Sequence, residues 1–66
     1  MSKRNPISEF IKHNKLAIVY KAENGYEVDL YEDDIFLETR EAHEHNEIYA
    51  SSIAENWCTD ILVLGE

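Results

Sequence analysis

Apolar and polar side chains alternate in two successive stretches near the middle of the chain. Leu16, Ile18 and Tyr20 interleave with Ala17, Val19 and Lys21, and Tyr26, Val28 and Leu30 interleave with Glu27, Asp29 and Tyr31. A period of two marks a strand with one buried face, so residues 16–22 and 26–32 are predicted strands. Glu23-Asn24-Gly25 separates them. A two-residue Asn-Gly loop would set Tyr20 opposite Asp29. A three-residue loop, with Gly25 in the left-handed region, sets Tyr20 opposite Val28 and Ile18 opposite Leu30. A one-residue slip turns every side chain over, so matching apolar with apolar selects the three-residue loop. A third strand over residues 35–41 follows a two-residue turn at Asp33-Asp34. Its core face is Ile35, Leu37 and Thr39, with Leu37 opposite Leu30 and Thr39 opposite Val28.

Two stretches carry helical spacing. Asn5-Pro6 pairs a capping residue with Pro at a first helical position, and Ile7, Phe10 and Ile11 follow at i, i+3 and i+4. Asn14 can end this short helix. Over residues 46–62, Asn46 is the cap and Glu47 suits the first turn. Ala50, Ile53, Ala54, Trp57 and Ile61 form one stripe, with Ser51, Ser52, Glu55, Asn56 and Thr59 opposite. The predicted class is α+β, in the order α-β-β-β-α. A three-stranded antiparallel meander carries a short N-terminal helix and a longer C-terminal helix packed on one face. One small domain spans residues 1–66, with residues 1–5 a flexible basic arm.

The register also predicts the other face of the sheet. Its rows are Lys21, Glu27 and Arg40; Val19, Asp29 and Glu38; and Ala17, Tyr31 and Phe36. The second row sets two acids opposite each other, which destabilises. Two readings of this face stand. The first helix folds over it, laying Phe10 and Ile11 on Tyr31 and Phe36. Otherwise Tyr31 and Phe36 are exposed anchors rimmed by Asp29, Glu32, Asp33, Asp34 and Glu38, the anatomy of a binding site for a basic protein surface.

Charge bears on the choice. The net charge is −8, and residues 1–21 hold five of the six basic groups. Residues 22–66 hold Arg40 and thirteen acids, a balance of −12. Such a body repels phosphate, so direct nucleic-acid binding is not expected, whereas partial mimicry of DNA is. A chain of 66 residues is a marginal frame for catalysis, and no catalytic constellation stands out. Ser51 and Ser52 lie inside a predicted helix. The glycines, Gly25 and Gly65, make no phosphate loop. Cys58 is the only cysteine and reads as a small packed residue, with no intrachain disulfide and a reducing cytoplasm as the expected setting. His43 and His45 point the same way in an extended stretch, but two ligands without a third make only a weak metal site. Asp29, Glu32, Asp33 and Asp34 lack the spacing of a calcium loop. No metal or cofactor is expected. No apolar run of signal-peptide length follows Met1-Ser2-Lys3-Arg4, and no segment reaches membrane-spanning length.

Ile61-Leu62-Val63-Leu64 is apolar on all sides, more than one helix face can bury. It is either a fourth strand or a contact with a second copy. In the second case Leu62, Val63 and Leu64 are the self-association residues of a homodimer.

The phrase Tyr49-Ala50-Ser51-Ser52-Ile53-Ala54-Glu55-Asn56-Trp57, following Tyr26-Glu27-Val28-Asp29-Leu30-Tyr31-Glu32-Asp33, resembles small acidic accessory proteins of T-even-type tailed bacteriophages. The resemblance covers roughly residues 16–62 and implies a host-takeover role. The implied activity is binding a host protein such as a nuclease, toxin, polymerase subunit or defence factor, and inhibiting or redirecting it. It brings no catalytic residue with it.

Overall fold

The connections between strands are all too short for anything but hairpins. The computed structural model describes residues 4–59. Strands β1 (Asn5–Lys12), β2 (Lys15–Ala22), β3 (Gly25–Glu32) and β4 (Ile35–His43) precede helix α1 (Glu47–Cys58). The strands form one antiparallel sheet in the order β1-β2-β3-β4, and α1 packs across one of its faces. The α+β class stands as predicted, and a C-terminal helix is present, although it is capped at Thr59 rather than running to residue 62, and residues 60–62 lie outside the described residues. The described part of the chain has four strands and one helix rather than three and two.

The correction falls on the N-terminal segment. Asn5–Lys12 is an edge strand, not a helix. A helix of that length is marginal alone, whereas pairing satisfies the backbone groups along β2. Pro6 is tolerated because β1 is an edge strand, and Ile7 bulges out between Pro6, opposite Tyr20, and Ser8, opposite Val19. Phe10 then faces α1 as part of the core, while Ile11 turns to the other side. The segment read as a flexible arm is engaged at its end: Arg4 is ion-paired and Asn5 opens β1. Residues 1–3 lie outside the described residues.

The β2–β3 register is also corrected. Ala22 lies opposite Gly25, so the turn is Glu23-Asn24 and not three residues long. Val19 therefore faces Val28, and Ala17 faces Leu30. Ile18 and Tyr20, expected in the core, go to the opposite face. Gly25 is required here: a Cβ would meet Ala42 O, Glu44 N and His43 Cα at 3.0 Å each, and its φ is +135°. The Asp33-Asp34 turn is two residues long, with φ of 56° and 66°, the left-handed pair that matches strand twist. Beyond it Leu37 bulges, so Glu38 faces Leu30, Thr39 faces Asp29 and Arg40 faces Val28. Thr39, expected in the core, is thereby moved off it.

Under α1 the core is Ala17, Val19, Val28, Leu30, Ala42, Ala50, Ala54, Trp57 and Cys58. Ala50 and Ala54 are fully buried, and their small size lets the helix sit close on Ala17 and Val19. Asn46 caps α1 by accepting from the Tyr49 N–H at 2.9 Å. At the other end Trp57 Nε1 donates to Tyr31 O at 3.1 Å, tying α1 to the end of β3. Cys58 is buried, its Sγ 3.3 Å from Phe10 O, and burial pushes the thiol up. Ile61, Leu62, Val63 and Leu64 lie outside the described residues. Among the described residues no helix is long and apolar enough to cross a membrane.

Candidate functional site

One face of the sheet lies under α1. Directly paired residues of an antiparallel ladder share a face, so the register defines the rows of the opposite, open face. At the end beside the β1–β2 and β3–β4 turns the row is Ile11, Leu16, Tyr31 and Phe36. The next is Glu9, Ile18, Asp29 and Thr39, and the third is Pro6, Tyr20, Glu27 and Glu41. The first row is apolar across the whole sheet. Tyr31 and Phe36 meet edge to face, with centroids 5.6 Å apart and planes at 70°. Phe36 is 51% exposed and Ile11 68%.

The middle of this face is polar and internally satisfied. Arg4 crosses β2, lies 3.9 Å above the Tyr20 ring and donates to Asp29 through two bonds of 3.0 Å. It also donates to Glu27 at 3.1 Å. Thr39 Oγ1 donates to Asp29 at 2.7 Å, and His43 Nε2 stands 3.0 Å from Glu27 Oε2. Asp29 is only 4% exposed. The Asp29 carboxylate raises the Arg4 guanidinium above its ordinary value. The His43 hydrogen bond, helped by Arg4 and opposed by burial, holds Glu27 below the usual glutamate value. Burial pushes the Tyr20 hydroxyl up.

The two turns at the apolar end are locked together. Asp33 N–H donates to Asn14 O at 2.8 Å, and Asn14 Nδ2 donates to Glu32 at 3.2 Å and Asp33 at 3.1 Å. Between them a shallow pocket of about 250 Å³ has Ile11 and Leu16 among its walls, with His13, Asp33 and Asp34 at its rim. Asp33 and Asp34 are exposed.

The expected anchors and rim residues thus separate. Tyr31 and Phe36 come together on the open face, with Asp33 and Asp34 near them. Asp29 shares the face but is buried and neutralised by Arg4. Glu32 pairs with Lys15 and Ile35 on the helix side, although its carboxylate reaches Asn14. Glu38 also turns to the helix side, where it is ion-paired with Arg40. The expected Asp29–Glu38 repulsion does not exist, because Thr39 stands opposite Asp29. His43 turns to Glu27, while the His45 ring stacks on Tyr49 at 3.8 Å. Among the described residues no group of three metal-ligating side chains gathers.

Arg4, Leu16 and Tyr20 were not picked out from the sequence as parts of this face, and Ile11 was placed there only as part of a covering helix. The signal was present in residues 15–22, where apolar residues occupy both parities of the strand, so both faces had to be partly apolar. No family model, curated protein or solved structure matches the chain.

Proposed function

We propose that the chain is a non-enzymatic binding module that docks a protein partner through the open face of its sheet. The observation that carries this reading is the apolar row Ile11-Leu16-Tyr31-Phe36, in which Ile11 and Phe36 are exposed and Leu16 and Tyr31 half-buried, flanked by the exposed Asp33-Asp34 turn. Exposed aromatics beside charged rims are the usual anchors of protein interfaces. The partner that fits presents an apolar patch bordered by lysine or arginine. Carboxylates would speed encounter and set orientation, while Tyr31 and Phe36 would hold the complex. The reading does not rest on mimicry of DNA, because Arg4 neutralises Asp29 and Glu27 at the centre of the face. The resemblance to phage accessory proteins makes a host protein the natural partner, with inhibition or redirection the outcome.

The test is retention of a partner by the immobilised chain at low and high salt. Tyr31→Ala with Phe36→Ala should abolish retention. Asp33→Asn with Asp34→Asn should slow association and flatten its salt dependence. Retention unchanged by the aromatic pair of substitutions overturns the reading.

A further inference from the structure

The sheet has two edges, and they differ. Along β1, Pro6 lacks an N–H and Ile7 bulges, which blunts that edge against further pairing. Along β4, the stretch after the Leu37 bulge runs through Glu38, Thr39, Arg40 and Glu41 without proline or bulge. Among the described residues no strand lies beyond it. α1 rests mainly on β2, β3 and β1 and meets β4 least, where Ala42 joins the core beneath it.

The charges along β4 are self-complementary. Consider a second copy adding its own β4 antiparallel to the first, about a two-fold axis. Centring the axis on Thr39 sets Glu38 of each copy opposite Arg40 of the other, and Thr39 opposite its own counterpart. Moving the centre one residue either way stacks Glu38 on Glu38 or Arg40 on Arg40. Of these three registers only the first pairs opposite charges, each pair favourable and each alternative repulsive. Glu38 and Arg40 already form an ion pair within one strand. Pairing the two copies would extend it to a ring of four alternating charges.

We infer that β4 is a homotypic interface, and that its occupant is β4 of a second copy, in the register centred on Thr39. The result is an eight-stranded sheet. A two-fold axis perpendicular to the sheet keeps both helices on one side and makes the two open faces one continuous surface. The contact uses the edge, not the open face, so its failure leaves the open-face reading standing.

Charge reversal tests it. Sedimentation of the wild type should show a monomer–dimer equilibrium in the micromolar range that weakens with salt. Arg40→Glu alone, or Glu38→Arg alone, sets like charges opposite each other twice per dimer and should weaken self-association by about tenfold or more. The double variant Glu38→Arg with Arg40→Glu restores complementarity and should dimerise again. Mixing the two single variants should give a heterodimer, because one strand is then wholly basic at these positions and the other wholly acidic. Circular dichroism melting checks that each variant is folded, and the double variant and the mixture keep the test decisive if one single variant folds poorly. The register is read separately with Thr39→Cys. Opposed Cα atoms in an antiparallel pair lie about 4.5–5.5 Å apart, within disulfide range, so oxidation should cross-link that variant, with the wild type and its buried Cys58 as the control. A wild type that stays monomeric at the highest concentration reached overturns the inference. So does a dimer that is indifferent to all the charge changes, which would place the contact on the open face or the C-terminal residues.

Discussion

Arg4 holds Asp29 in a two-pronged grip, Nη1 to Oδ1 and Nη2 to Oδ2, both at 3.0 Å. The two residues are 25 apart in sequence, and neither is placed by its own element alone. Arg4 precedes β1, and Asp29 projects from the second central strand onto the open face. The pair spans β2, with the Tyr20 ring beneath the guanidinium. It anchors the start of β1 to the sheet at the point where the Ile7 bulge weakens the ladder.

Truncating that grip should therefore loosen the edge strand. Arg4→Ala leaves a nearly buried carboxylate with Thr39 as its remaining side-chain donor among the described residues, and the expected loss is about 1–3 kcal/mol. Asp29→Asn removes the charge instead and should also destabilise, since no opposing acid is relieved. Urea unfolding of the two single variants and the double variant gives the coupling between the residues. A stabilised Asp29→Asn variant would contradict this placement of Asp29.

Glu27 gives the fold a dependence on acid. Its carboxyl is held below the ordinary value by His43 and Arg4 in the folded state. A depressed folded value means that the unfolded chain binds the proton more tightly. The stabilisation is thus fully present above the unfolded value, about 4.3, and disappears as pH falls through the folded value. Thermal melting from pH 7 downward should show the wild type losing stability over that range. Glu27→Gln, which has nothing to protonate there, should start lower and show a shallower decline.

Much of the fold was legible because its elements are locally marked. The cap at Asn46, the Ala50-Ala54-Trp57 stripe and the Asp33-Asp34 turn all behave as their residues imply. The register was not legible for a definite physical reason. In β2 the residues of either parity are apolar, Ile18 and Tyr20 as readily as Ala17 and Val19, so pattern alone cannot select the core face. The face that packs under α1 is the one carrying Ala17 and Val19, opposite the small side chains Ala50 and Ala54 of the helix. β1 escaped notice because Asn5-Pro6 suits a helix start as well as an edge strand. The Ile7 and Leu37 bulges, which break period two, leave no mark in composition. Of the candidate site, the Tyr31–Phe36 pair was legible from its turn. The acidic rim was legible only at Asp33 and Asp34: Glu38 leaves it through the register beyond Leu37, Glu32 lies on the helix side, and Asp29 is taken up by Arg4.

Gly25 is the tightest constraint on the turn region. With three backbone atoms at and just after the end of β4 at 3.0 Å from an added Cβ, none of them the end of a flexible side chain, Gly25→Ala forces the backbone apart. A cost of about 1–3 kcal/mol is expected, against a few tenths for a substitution at an open surface position. Hydrogen exchange should place the loss locally, with faster exchange at the Glu44 N–H, which donates to Asn24 O at 3.1 Å.

The open face and the core should part company under truncation. Leu30 is fully buried beneath α1, so Leu30→Ala removes methyl groups from a packed site and should cost about 2–5 kcal/mol. Phe36 is a larger side chain, but half of it is exposed and its main neighbour is the Tyr31 ring. Phe36→Ala loses that edge-to-face contact and the buried half of the ring, so a cost of about 1–2 kcal/mol is expected, below that of Leu30→Ala. If Tyr31 and Phe36 serve to hold a partner, the ranking reverses in a binding measurement. Phe36→Ala should then lose most of the affinity while melting nearer the wild type than Leu30→Ala does. Leu30→Ala, at temperatures where it remains folded, should bind nearly as the wild type does. Equal stability losses from the two substitutions would show that Phe36 is structural, packed against something in the folded monomer, and would remove the main support for the open face as a docking surface.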